Sequence, residues 1–154
     1  PGAALKPFLV LQTAFNEPGA QFSPDGRWIA YVSNESQRDE VYVTPFPPPP
    51  SGPAGKRQIS TAGVFGAPRW REDSKEIFYK SLDRRLMSAE VAIKAGTLEV
   101  GAVRALFGRT NDAANPSFGV SKDGQRFLLL EPPEEKSAEP LTLIQNWAAG
   151  LRRR

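Results

Sequence analysis

Three aspartates, Asp25, Asp73 and Asp123, recur at intervals of 48 and 50 residues in a chain of 154. Recurring carboxylates could serve as general acids and bases or as oxygen ligands for a hard cation. Each lies within a related string. The first is Gln21-Phe-Ser-Pro-Asp-Gly-Arg-Trp-Ile-Ala-Tyr-Val32 and the second is Arg69-Trp-Arg-Glu-Asp-Ser-Lys-Glu-Ile-Phe-Tyr-Lys80. The third is Gly119-Val-Ser-Lys-Asp-Gly-Gln-Arg-Phe-Leu-Leu-Leu130. In the first string the Pro24-Asp25-Gly26 step has turn chemistry: proline presets φ, the Asp side chain bonds back to the backbone, and glycine accepts positive φ. The second string replaces both proline and glycine, the third only the proline, and the Asp stays in all three. We therefore read these aspartates as turn caps, not as acids or metal ligands.

Other candidates for chemistry are sparse. Asn111 and Asp112, in Thr110-Asn-Asp-Ala-Ala-Asn115, could offer oxygens to a hard cation but lack the carboxylate density of a calcium loop. Glu134-Glu135 sits in a charged, proline-flanked stretch and reads as a solvated loop. Trp28 and Trp70 fall on strand positions and read as packing, Trp147 as the anchor of a last strand, and Arg84-Arg85 as a hairpin tip. The chain has no Cys and no His. That excludes disulfides, thiolate nucleophiles, Ser-His-Asp and Cys-His arrangements and His-based zinc sites. The net charge is +3, which the terminal Arg152, Arg153 and Arg154 account for, so the body is close to neutral. A solvated tail explains this better than nucleic-acid binding, which needs basic charge spread over a face. No catalytic residue, metal or cofactor is expected.

The elements that position these residues are nearly all β. Strands are expected at Leu5–Gln12, Ala20–Ser23, Trp28–Ser33, Glu40–Phe46 and Lys56–Ser60, then at Ala67–Arg71, Glu76–Ser81, Leu86–Ile93 and Val103–Phe107. A third set is expected at Ser117–Ser121, Arg126–Leu130 and Leu141–Trp147. The run Trp-Ile-Ala-Tyr-Val from Trp28 is apolar throughout, which predicts a strand covered on both faces. Pro47–Gly55 and Pro132–Pro140 read as loops, and Lys94–Thr97 as a turn. A strand-rich repeat of this length is the mark of a β-propeller blade. The expected architecture is an all-β partial propeller of three four-stranded antiparallel blades, at about 15–61, 62–109 and 110–147. The leading strand 5–12 would complete a last blade, because a terminal strand commonly closes the ring. Rings usually hold four to eight blades, so three predict half of a six-bladed ring. That half would be completed by a longer parent or by self-association of two copies. The chain starts at Pro1, and we expect a piece of something longer.

The Phe-Ser-Pro-Asp-Gly-Arg-Trp-Ile-Ala-Tyr-Val stretch resembles the WD-repeat-like propeller repeat of the TolB-like family. From Phe15 to Thr61, with Asn34-Glu-Ser, Glu40-Val-Tyr-Val and Pro45-Phe46-Pro47, the chain is similar to the last blades of propellers fused to bacterial serine/threonine protein kinases. Its closing Leu141-Thr-Leu-Ile-Gln-Asn-Trp147 resembles that family's C-terminus. The resemblance implies an extracytoplasmic (periplasmic) sensor, binding a protein, peptide or small ligand, tied to a membrane only through a parent segment. No kinase signature is present, so any kinase activity would lie outside these residues. Competing readings are a propeller gating a prolyl-oligopeptidase-like peptidase and a TolB-like envelope scaffold. Propellers bind at loop faces. One face would gather Thr13–Gly19, Asn34–Asp39, Thr61–Ala67, Ser81–Arg85 and Arg109–Pro116, and its candidate ligand contacts are Asn16, Glu17, Arg38, Phe65, Arg84, Asn111 and Asp112.

Overall fold

A computed structural model describes residues 6, 7, 9–49, 54–109 and 117–130. These form ten strands and no helix, in three antiparallel sheets. Sheet 1 is a meander of β1 (Gln21–Phe22), β2 (Trp28–Ser33), β3 (Glu40–Pro45) and β4 (Arg57–Gln58). Sheet 2 repeats it with β5 (Arg69–Trp70), β6 (Glu76–Lys80), β7 (Arg85–Lys94) and β8 (Thr97–Arg109). Sheet 3 pairs β9 (Phe118–Val120) with β10 (Phe127–Leu129). The all-β expectation is met, and two sheets have the expected four strands. The strand expected at Leu141–Trp147 lies outside the described residues.

β2 is buried at every position, as its unbroken apolar run requires. Its even-numbered Trp28, Ala30 and Val32 join Val41 and Val43 of β3 on one face, and that face meets Trp70, Ile77, Tyr79, Ala89 and Val91 of sheet 2. The opposite face of sheet 2, with Phe78 and Leu86, meets Phe118, Val120, Phe127 and Leu129 of sheet 3. The three sheets therefore stack face to face. Fully burying one such large side chain stabilises by about 1.5–3 kcal/mol, so both junctions are strong.

The repeat positions explain which face goes where. Phe22, Ile29 and Tyr31 of sheet 1 align with Trp70, Ile77 and Tyr79 of sheet 2 and with Val120, Phe127 and Leu129 of sheet 3. In sheets 2 and 3 these positions form the face that packs on the preceding sheet. Period-2 alternation in the strands carries the same face to the same side in each copy.

Two expectations change. The described part of 5–12 forms no strand; Val10 and Leu11 instead pack on Ile29, Tyr31 and Tyr42 of sheet 1. Its apolar side chains find a sheet face without needing a backbone partner. The last strand of sheet 2 runs from Thr97, well before the expected Val103. The Lys94–Thr97 turn places Ala95 and Gly96 at positive φ, a hairpin conformation that starts pairing at once. A register shift between Ala89 and Val91 then absorbs the extra residues around Gly101.

Candidate functional site

The three aspartates are turn formers in the structure. Asp25 Oδ1 accepts from the Arg27 amide at 3.1 Å, Asp73 Oδ1 from Lys75 at 3.0 Å and Asp123 Oδ1 from Gln125 at 3.0 Å. The following residue has positive φ in each: Gly26, Ser74 and Gly124. In the outer copies the preceding serine, Ser23 or Ser121, donates its hydroxyl to the Asp at 2.5 Å. That hydroxyl also accepts an amide from across the turn, Trp28 at 3.0 Å and Arg126 at 2.9 Å. Where the second copy has Arg71, the guanidinium donates twice to Asp73, at 2.7 Å each. This holds the Asp73 carboxyl below the usual carboxylate range and the Arg71 guanidinium above its own. The Ser121 hydroxyl and the Gln125 amide likewise lower Asp123.

The hairpin tip expected at Arg84-Arg85 is a fourth turn of this kind, although its Ser-Asp cap was not read from the sequence. Ser81 donates to Asp83 Oδ1 at 2.5 Å, accepts from the Arg85 amide at 3.2 Å, and is followed by Arg84 at φ 65°. The Ser-x-Asp spacing was its signal. Without proline or glycine it did not stand out.

Four of the five loops expected to share one end meet there, and the fifth, 109–116, lies outside the described residues from 110 on. The Leu82 amide donates to Gly63 O at 3.2 Å, and the Val64 amide to Asp39 O at 2.9 Å. The Asn16 amide donates to Asn34 Oδ1 at 3.0 Å. Gly63 is at φ 82°, and a Cβ there would run into Leu82, so only glycine lets loops 61–66 and 81–84 close. Under this cluster lies Glu40, whose side chain is 1% exposed. It accepts from Ser60 Oγ at 2.5 Å, from the Gly63 amide at 2.8 Å and from Arg38 Nε at 3.0 Å. Glu40, Ser60 and Gly63 were not singled out from sequence. A charged residue opening the buried strand Glu-Val-Tyr-Val was the available clue.

The candidate contacts fare differently. Arg38 is committed to structure: besides Glu40 it donates to Thr61 O at 2.9 Å, although its side chain remains 56% exposed. Asn16 is exposed and held through its amide. Glu17 accepts from Thr13 Oγ1 at 2.9 Å and lines a groove of about 310 Å³ with Leu9, Val10, Leu11, Phe22 and Tyr31. Burial, helped by the charges of Glu35 and Glu17, raises the Tyr31 phenol well above its ordinary value. Phe65 is half-buried, its amide donating to Lys80 O at 2.8 Å. Arg84 is half-buried at the tip of the Ser81 turn. Asn111 and Asp112 lie outside the described residues.

The opposite end carries a groove of about 430 Å³ lined by Arg71, Lys75, Glu76, Glu90, Lys94, Glu99 and Arg104. Buried Glu76 is gripped by Arg71, by Arg104 at 3.2 Å and by the Ser88 hydroxyl at 2.7 Å. Arg104 reaches Glu90 at 3.3 Å, and Lys94 reaches Glu99 at 2.6 Å. Arg71, Glu76, Arg104 and Glu90 thus form one chain of ion pairs and Lys94 with Glu99 a second, ties that hold β6, β7 and β8 together. Among the described residues no three acidic side chains gather as a metal cluster would need, and no helix is long and apolar enough to cross a membrane. The chain matches no protein-family model and no curated protein.

Proposed function

We propose that the chain is a non-catalytic β-propeller module that binds a protein, peptide or small ligand through its loop end. The observation that carries this reading is the repeated face: Trp70, Ile77 and Tyr79 pack on sheet 1 as their counterparts Val120, Phe127 and Leu129 pack on sheet 2. Units that pass one face to the next in this way are blades, and three of them make half of a six-bladed ring. A rigid stack with loops converging at one end is a binding scaffold. The resemblance of Phe15–Thr61 and Leu141–Trp147 to propellers fused to bacterial serine/threonine kinases supports an extracytoplasmic sensing role.

Glu17, Phe65 and Arg84 are the contacts to test, with Arg38 serving chiefly to hold the loops. A thermal-shift screen of peptides and small molecules should find a class that raises the melting temperature, because selective binding stabilises the folded state. Hydrogen exchange with that ligand should slow in 13–19, 34–39, 61–66 and 81–85. The variants Glu17→Gln, Phe65→Ala and Arg84→Gly should weaken the shift. Protection confined to the Arg71–Glu76–Arg104 groove would overturn the assignment of the loop end.

A further inference from the structure

Among the described residues, Glu17 is the glutamate without a cation. Glu35, Glu40, Glu72, Glu76, Glu90 and Glu99 each lie within ion-pair distance of a Lys or Arg. Glu17 is half-buried, and its carboxylate receives a hydrogen bond from Thr13 Oγ1 at 2.9 Å. A carboxylate has about four acceptor sites, so most of its capacity remains open. The groove of about 310 Å³ that it lines lies between residues 9–11 and sheet 1. Val10 and Leu11 pack on the buried Ile29 and Tyr31 and leave this space beside them. Phe22, 53% exposed, forms a further aromatic wall. Among the described residues lining the groove there is no Lys or Arg. Apolar walls with one charged group to orient the guest are the usual make-up of a small-molecule site, and the volume is at the low end of their range of about 300–1,000 Å³.

The adjoining ring shows what such an arrangement takes. The Tyr42 ring lies 6.1 Å from that of Tyr31, centroid to centroid. The Lys56 ammonium sits 5.4 Å from the Tyr42 centroid and donates to both oxygens of Glu35, at 2.7 and 2.5 Å. An ammonium is drawn to an aromatic face and to a carboxylate at once. Around Tyr31 the carboxylate is Glu17, and the cation is missing. Burial, and then the charges of Glu35 and Glu17, raise the Tyr31 phenol, so the floor of the groove lies in a negative field.

We propose that the groove binds a small organic cation, its ammonium held by Glu17 and its apolar body lying against Phe22, Ile29 and Tyr31. A compact molecule fits better than a polypeptide because residues 9–11 roof the space. The charge complement is specific: a neutral guest gains only the walls, and an anion meets Glu17. This ligand class deepens the loop-end reading given above, on which it rests.

The probe is 2-phenylethylamine, titrated into the full chain and followed by amide chemical shifts. The alcohol 2-phenylethanol and the anion 3-phenylpropanoate carry the same ring without charge and with the opposite charge. The amine should give saturable shifts at residues 9–11, 17, 20–22 and 29–31. A charge-assisted hydrogen bond is worth about tenfold in affinity, so the alcohol should bind about tenfold more weakly, and the anion should not bind. Glu17→Gln should weaken the amine by the same factor and leave the alcohol unchanged, a pattern that a merely structural role would not give. Should that variant fail to melt cooperatively, Leu9→Lys, at a position 67% exposed, supplies a competing ammonium and should block the amine. Thr13→Val keeps the Glu17 charge and should keep binding. Three results overturn the proposal: no saturable shift with the amine, equal affinity for amine and alcohol, or full amine affinity in Glu17→Gln. Hydrogen exchange separates this from the wider loop-end reading. A different ligand that protects 34–39, 61–66 and 81–85 while the amine fails to bind keeps the loop end and removes the cation site. Amine binding at the groove, with no ligand found that protects those loops, keeps the cation site and removes the wider reading.

Discussion

The two ends of the sheet stack are held by different physics. At the turn end, Asp25, Asp73 and Asp123 each cap a residue two positions on, so in sheet 1 the turn satisfies itself locally, and only in sheet 2 does a buried carboxylate, Glu76, add the distant partners Ser88 and Arg104. At the loop end, one buried carboxylate, Glu40, ties together Arg38, Ser60 and Gly63 from segments about the far side of sheet 1. Local caps can change one residue at a time, as the exchange of Ser23 for Arg71 in the second copy illustrates. A shared buried charge cannot, because every partner is left unmatched when it goes.

The sharpest way to break this contrast is to remove Glu40. Glu40→Ala leaves the Gly63 amide and the Ser60 hydroxyl without their acceptor and Arg38 without its carboxylate. Arg38, 56% exposed, returns to water, whereas a buried donor left without its acceptor costs about 1–3 kcal/mol. Urea unfolding should show a loss of that order. Hydrogen exchange should quicken at Val64 and Leu82 while the turn-end amides of Arg27, Lys75 and Gln125 keep their protection. Equal loosening at both ends would show that the two are not separately held.

The same contrast decides what could be read from sequence. The turn caps were legible because their chemistry is local and repeated, and β2 was legible because its apolar run has no polar break. Glu40 was not, since its partners lie 20 and 23 residues away. The tip at Arg84-Arg85 was legible as a hairpin, but its Ser81–Asp83 cap was not, because an Arg occupies the positive-φ position that glycine marks in the other turns. Leu5–Gln12 misled because apolar character marks a segment that will be buried and does not say whether it pairs as a strand. Arg38 was chosen for its exposure in a loop, yet its charge is spent largely on Glu40, which no spacing rule links to it.

A weaker effect separates the ends by pH. Asp73 and Asp123 have lowered values when folded, so they stabilise the fold above the unfolded carboxylate value of about 3.9. That contribution is lost as pH falls through their folded values, and it loosens the turn end. Tyr79 is pushed up to about 12 by burial and by the charge of Glu40. A raised folded value stabilises fully below the unfolded phenol value of about 10 and fades as pH rises toward the folded one. Melts followed by region-resolved exchange should show the turns around Asp73 and Asp123 weakening first below pH 4, and the core beside Glu40 weakening first between pH 10 and about 12. The reverse order would remove the link between each end and its titrating groups.

The smallest effect tests how self-contained a single turn is. Ser74 occupies the positive-φ position, at 59°, that Gly26 and Gly124 hold in the other copies. A left-handed backbone costs a non-glycine residue about 1–2 kcal/mol. The Ser74 hydroxyl is buried without a hydrogen-bond partner, which adds to that cost. Against this, glycine makes the unfolded chain more flexible, a loss of about 0.4–1 kcal/mol. The balance favours Ser74→Gly by up to about 1.6 kcal/mol, the difference of those terms. Gly26→Ser should move stability by a similar amount in the opposite direction, because the same turn conformation is being filled with the wrong residue. If the turns are independent, the two substitutions in one chain should cancel to within the ~0.5 kcal/mol expected of distant sites. A clear departure from cancellation would mean that the turn end is coupled through the stacked sheets after all, and the distinction between the two ends would then be one of degree.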